Sequence, residues 1–145
     1  MPKNPLNIRP FQKEDETAVV ALWRICELIV PWNNPHKDIA RKLKIQPELF
    51  LVGMLDSLLI ASVMGGYEGH RGWINYLAVH PNFQGLGYGQ KMMKSVESEL
   101  RKRRCPKINL QIRPGNDRVM AFYHKLGFKD DKVLSMGKRL EEDHN

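Results

Sequence analysis

Apolar positions recur along this chain at two periods, and the change from one to the other separates predicted strands from predicted helices. Leu6 to Arg9 read as a short strand closed by Pro10. From about Asp15 to Ile29, the apolar residues Val19, Leu22, Trp23, Cys26 and Ile29 fall on one face of a helix. Asn34-Pro35 supplies an N-cap followed by proline at the first helical position, and Ile39 and Leu43 mark a second helix that stops before Pro47. Leu49–Met54 and Leu58–Met64 flank Leu55-Asp56-Ser57 as a hairpin, with Gly65-Gly66 expected to end its second strand. Trp73 to Val79 form the next strand, closed by Pro81.

Met92, Val96 and Leu100 repeat every fourth residue, so the following segment is helical, with Glu97–Arg101 and Glu99–Arg103 pairs on its exposed side. Ile108, Leu110 and Ile112 alternate with Asn109 and Gln111 as a one-sided strand, broken by Pro114-Gly115. Asn116 or Asp117 caps a helix with Val119, Met120, Tyr123 and Leu126 inward, and Gly127 stops it. Val133 to Leu140 read as a last strand before a polar tail, Glu141 to Asn145. The order β-α-α-β-β-β-α-β-α-β predicts an α/β fold. It has a mixed sheet, a hairpin region and a right-handed crossover, within a single domain spanning residues 1–145.

Composition adds limits. The 145 residues suffice for one domain with a substantial core. No stretch reaches the ~18 apolar residues of a membrane span, and Met1-Pro2-Lys3-Asn4-Pro5 lacks a signal-peptide core, so a cytoplasmic protein with no membrane partner is expected. Cys26 and Cys105, without CxxC spacing, read as reduced thiols, and the five histidines show no metal-ligand spacing, so no metal is expected. A net charge of +7 favours anionic partners. The cluster Arg101-Lys102-Arg103-Arg104 ends a helix, where cations complement the dipole, and no aromatic-rich basic module accompanies it. Nucleic acid is therefore set aside as a partner.

The candidate chemistry lies in Gln84-Gly85-Leu86-Gly87-Tyr88-Gly89, between a strand and an amphipathic helix. Three glycines allow a sharp turn and close approach, and the unsatisfied N–H groups of the next helix suit phosphate. No Lys-Ser/Thr pair follows, which excludes a P-loop, and the spacing G-x-G-x-G is not the dinucleotide fingerprint.

Two segments, LAVHPNFQGLGYG (Leu77 to Gly89) and NDRVMAFYHKLGF (Asn116 to Phe128), resemble the two signature motifs of the GNAT family of N-acetyltransferases. Gln84, Gly87 and Gly89 match the pattern Q/R-x-x-G-x-G/A. Asn116, Val119, Phe122, Tyr123, Gly127 and Phe128 match N-x-x-A/V-x-x-F-Y-x-x-x-G-F. The resemblance covers almost the whole chain. It implies a central, mostly antiparallel sheet splayed at its two middle parallel strands, and acetyl-coenzyme A as cosubstrate. Its pyrophosphate would rest on main-chain N–H groups of Gln84, Gly85, Leu86, Gly87, Tyr88, Gly89 and Gln90, with Lys91 either helping or merely solvated. Its pantetheine arm would pair with Leu77 and Val79, and Asn116 would add a polar contact.

An amine acceptor of unidentified structure would attack the thioester directly. It would bind against the region Ile29 to Gln46, which includes Trp32 and His36, and against Tyr67 to Gly72. At neutral pH under ~0.1% of a lysine-type amine is uncharged, so a base is needed, directly or through water. Tyr123 stands at the family's usual acid position and would protonate the departing thiolate. The strand before the glycine loop lacks the Glu that many relatives carry there, leaving Glu68, His70 or water as the base, with Glu68 the first choice. A domain that senses acyl-coenzyme A without turnover is the alternative. Many relatives form dimers, which leaves a homodimer open.

Overall fold

The computed structural model describes residues 5–143. They form two compact units, one running to Asn109 and including Asp143, the other Leu110–Glu142.

The first unit holds a five-stranded sheet ordered β1 (Asn7–Pro10), β2 (Phe50–Leu55), β3 (Leu58–Tyr67), β4 (Gly72–Val79) and β5 (Ile108–Asn109). Every neighbouring pair is antiparallel except β4 and β5, which run parallel. Helices α1 (Glu16–Ile25) and α2 (Pro35–Lys42) cover one face. There Val19, Trp23 and Ile39 are fully buried with Phe50 and Val52, and this apolar burial is the main force holding the layer. Helix α3 (Tyr88–Lys102) lies on the other face. Strand glycines let it approach closely. A Cβ on Gly65 would sit 2.5 Å from Val96 Cγ2, and one on Gly53 3.0 Å from Met92 Sδ.

That close approach explains one departure from the sequence reading. Gly65-Gly66 do not end the strand; β3 continues to Tyr67. The Gln46 side chain extends the pairing there, accepting from Tyr67 N–H and donating to its carbonyl, both at 2.8 Å. Helix α1 also stops early, at Ile25 rather than Ile29. Glu27 turns left-handed at φ +59°, and Leu28 N–H bonds the Trp23 carbonyl, a helix-ending motif that left no glycine signal.

In the second unit, Asn116 caps α4 (Asp117–Lys125) by accepting from Val119 N–H, and Gly127 at φ +94° ends it. The expected last strand, Val133 to Leu140, is not formed. Its apolar residues Val133, Leu134, Met136 and Leu140 are 78–92% exposed. The side-chain pattern breaks period two at Val133-Leu134 and again at Gly137-Lys138-Arg139, so no single apolar face runs through the segment. Likewise β5 covers two residues rather than five, so the parallel pair lies at one edge of the observed sheet instead of its middle.

Candidate active site

Strand β4 breaks register with β3 beside the glycine loop. Ala61 and Ser62 pair with Val79 and Ala78, but Met64 pairs with Asn75, so Val63 alone opposes Tyr76 and Leu77. This bulge places Tyr76 at φ +53°, a left-handed conformation that a bulky residue adopts only when held there. Four contacts hold it. The fully buried Ser62 hydroxyl donates to the Tyr76 carbonyl at 2.8 Å, and the Trp23 indole N–H donates to Ser62 Oγ at 2.9 Å. The Trp23 and Tyr76 rings stack with centroids 3.7 Å apart. The Tyr76 hydroxyl donates to Asp38 Oδ2 at 2.6 Å. Burial, and then that bond to a carboxylate, raise the tyrosine's pKa.

Past the bulge, Gln84 Nε2 donates to the Val79 carbonyl at 2.9 Å, and the half-buried Cys26 thiol reaches the same oxygen at 3.3 Å. Burial pushes that thiol's pKa up, so Cys26 is a poor nucleophile. Gly85 and Gly87 adopt φ +79° and +88°, with no atom within 4 Å of the side chain either would carry. Gly87 is the N-cap of α3 and offers no side-chain acceptor, and the first turn carries no acidic residue. The loop thus presents open main-chain donors at the positive end of a fifteen-residue helix, a donor set that fits phosphate. Leu86 stays exposed and Tyr88 is buried, with Lys91 Nζ 5.8 Å from its ring centre. Gly89 and Gln90 lie in the first turn of α3.

The Gln84 bond ties the end of β4 at Val79, two residues past Leu77, to the start of the run from Gln84 to Gln90. The other sequence candidates lie apart in the chain. Tyr123 sits in α4, 8% exposed, its ring edge-on to Phe122 and Phe128. Burial raises its pKa to about 12. Asn116 serves the structure as the cap of α4. Glu68, fully exposed in the β3–β4 turn, accepts the N–H groups of His70 and Arg71 through Oε1, both at 2.5 Å. These bonds, Arg71's foremost, hold its carboxyl below the usual range. Among the described residues, no group of three or more His, Cys, Asp or Glu could hold a metal ion. None of their helices is long and apolar enough to cross a membrane.

Sequence reasoning missed Tyr76, Ser62 and Asp38. Tyr76 stands in a run of strand-forming residues, and nothing local marks the bulge, because its partners are 14 and 38 residues away.

Residues 16–128 match the model of the acetyltransferase (GNAT) family. An acetyltransferase from Yersinia enterocolitica is 45% identical over 135 residues, 93% of this chain and 96% of the relative. One from Pectobacterium atrosepticum is 46% identical over 138 residues, 95% and 98% of the two chains. The fold is similar to that of an aminoglycoside acetyltransferase from an uncultured soil metagenomic sample. The two superpose with a TM-score of 0.75 at 18% identity, covering 97% of this chain and all of that one. It is also similar to AAC(6')-Iy solved with the bisubstrate analogue CoA-S-monomethyl-acetylneamine, with a TM-score of 0.72 at 16% identity, covering 94% and 99%. On this evidence the chain belongs to the GNAT family of acetyltransferases, which use acetyl-coenzyme A.

Proposed function

We propose that this protein transfers the acetyl group of acetyl-coenzyme A to a primary amine, by direct attack with both substrates bound. The observation that carries the reading is the pairing of an uncapped, acid-free α3 N-terminus behind Gly85 and Gly87 with a bulge two residues before Val79. The loop's main-chain N–H groups bind the diphosphate. On the side of β4 away from β3, strand pairing stops at Trp73, so Leu77 and Val79 have no strand there and can run beside an extended arm, with the Val79 carbonyl already accepting from Gln84 and Cys26. The bulge removes Leu77 from the β3 register, and its N–H is suited to the carbonyl oxygen on which negative charge develops.

In this reading Tyr123 gives its proton to the departing thiolate. With its pKa at about 12 the hydroxyl is protonated throughout the physiological range. Asn116 adds a contact to the arm, and Glu68 receives the amine proton through water at Oε2. The clamped carboxylate is a weak base, which suits a relay better than direct abstraction. Release of free thiol from acetyl-coenzyme A across a panel of amines, peptides and lysine analogues tests the reading. Acceptor-dependent release is expected. Saturable binding of acetyl-coenzyme A without release in any acceptor's presence would instead identify a sensor.

A further inference from the structure

Lys42 is a cation with no ion pair within 4 Å among the described residues, placed where the mechanism above makes no use of it. It lies in the last turn of α2, half-buried, on the sheet face that α1 and α2 only partly cover. Its Nζ is 3.6 Å from the point where Gly66 would carry a Cβ, so the ammonium sits over the sheet rather than in solvent. Among the described residues it makes no hydrogen bond, and no ion pair within 4 Å. Glu48 is the acidic group that acts on it, yet the Glu48 carboxylate is engaged by Arg103 Nη2 at 3.3 Å. Burial lowers the lysine's pKa, the expected cost of holding there a charge that Glu48 offsets only in part.

The neighbours of Lys42 form a surface. Gly66 pairs with Trp73 and Met64 with Asn75, and directly opposed residues share a face. Met64 belongs to the core under α1, so Trp73 and Asn75 point to the same side as Lys42. Both are exposed, Trp73 although it has strand partners on two sides. At the far end of this uncovered floor lies the Tyr76 bulge, with Asp38 against its hydroxyl. Asp38's nearest cation, Arg41, is 3.6 Å away and is held more tightly by Asp143, at 2.5 and 2.8 Å. The floor therefore has a weakly compensated carboxylate at the reacting end, an indole and an amide along it, and a lone ammonium at the other end.

We infer that Lys42 is a specificity-determining residue that binds an anionic group, carboxylate or phosphate, at the distal end of the amine acceptor. From Trp73 to Tyr76 the strand advances roughly 10 Å, at about 3.3 Å per residue. The acceptor is thus an elongated amine whose negative group lies about that far from the acetylated nitrogen. An α-amino acid is too short. This inference rests on the acetyl-transfer reading.

The test uses the full chain saturated with coenzyme A. Matched pairs of amines are titrated calorimetrically: ω-amino acids of three to eight carbons against their methyl esters, and an amino-sugar phosphate against the free amino sugar. The anionic member is expected to bind at least tenfold tighter, with the longer ω-amino acids favoured. Lys42→Met should erase that difference, and Lys42→Arg should retain most of it, with coenzyme A affinity unchanged in both. The carboxylate and phosphate arms identify which anion is preferred. Equal affinity within every pair, no binding of any anionic amine to protein that binds coenzyme A, or a preference that survives Lys42→Met each overturns the inference. Failure to bind coenzyme A sinks the underlying reading instead.

Discussion

Trp23 lies flat against Tyr76, ring centroids 3.7 Å apart and planes within 9°, and this stack supports the one left-handed residue of β4. The buried Ser62 hydroxyl ties the same two residues together, accepting from the indole and donating to the Tyr76 carbonyl. Ser62→Ala should cost about 1–3 kcal/mol by stranding a buried donor and acceptor. Denaturant unfolding reads the loss. Because the bulge relaxes with it, turnover should fall more than acetyl-coenzyme A affinity, and equal loss in both would separate the bulge from the chemistry.

Gly87 is set at φ +88° with open space around its missing side chain. Gly87→Ala meets no steric clash, yet it places a side chain in the left-handed region at a cost of roughly 1–2 kcal/mol. The relaxed loop should bind acetyl-coenzyme A at least tenfold more weakly while circular dichroism and overall fold are kept. Undiminished affinity would show that the phosphates rest elsewhere.

Tyr123→Phe should lower turnover well over tenfold and leave acetyl-coenzyme A binding within about twofold. Its hydroxyl, raised to about 12, should contribute no limb to the pH–rate profile between pH 6 and 10. A limb that disappears in the phenylalanine variant would contradict that assignment of its ionisation.

Glu68 presents a sharper choice. If it is the terminal proton acceptor, Glu68→Gln abolishes an ascending limb of the pH–rate profile. If it only clamps the β3–β4 turn through His70 and Arg71, the profile keeps its shape and just the acceptor KM rises. We expect the first outcome.

Asp15, 9% exposed, is bonded by Arg9 at 2.7 and 2.9 Å, which holds its pKa below the usual carboxylate value. A carboxyl lowered on folding stabilises the protein above its unfolded pKa of ~3.9, and that stability fades as pH falls through the lower folded value. Thermal unfolding of Asp15→Asn should therefore differ from wild type at pH 7 and converge with it toward pH 2. A constant offset across that range would contradict the linkage.

Helix starts and the turn of the glycine loop were legible because their causes are local. Asn34-Pro35 starts α2 as its cap chemistry predicts, and Gly85 and Gly87 take the positive φ that their identity allows. Strand ends were less legible. Gly65-Gly66 look like a stop in isolation, but Gly65 admits Val96 of α3, more than 25 residues on, while Gly66 lies under Lys42 and Gln46 on the other face. The bulge was invisible for the same reason, since Trp23 and Asp38 hold it from other elements. The exposed segment from Val133 to Leu140 shows the reverse error, where apolar content was read as a strand although its alternation is broken.

Strand β4 pairs with β5 at only Gly72 and Trp73, so the rest of that side has no strand beside it among the described residues. A sheet left incomplete in this way should report its own occupancy. Amide protons from Leu77 to Val79 that face that side would exchange quickly in the free protein and slowly once an extended molecule lies alongside. Hydrogen–deuterium exchange at Leu77 and Val79 then becomes a gauge of cosubstrate saturation that requires neither turnover nor a known acceptor.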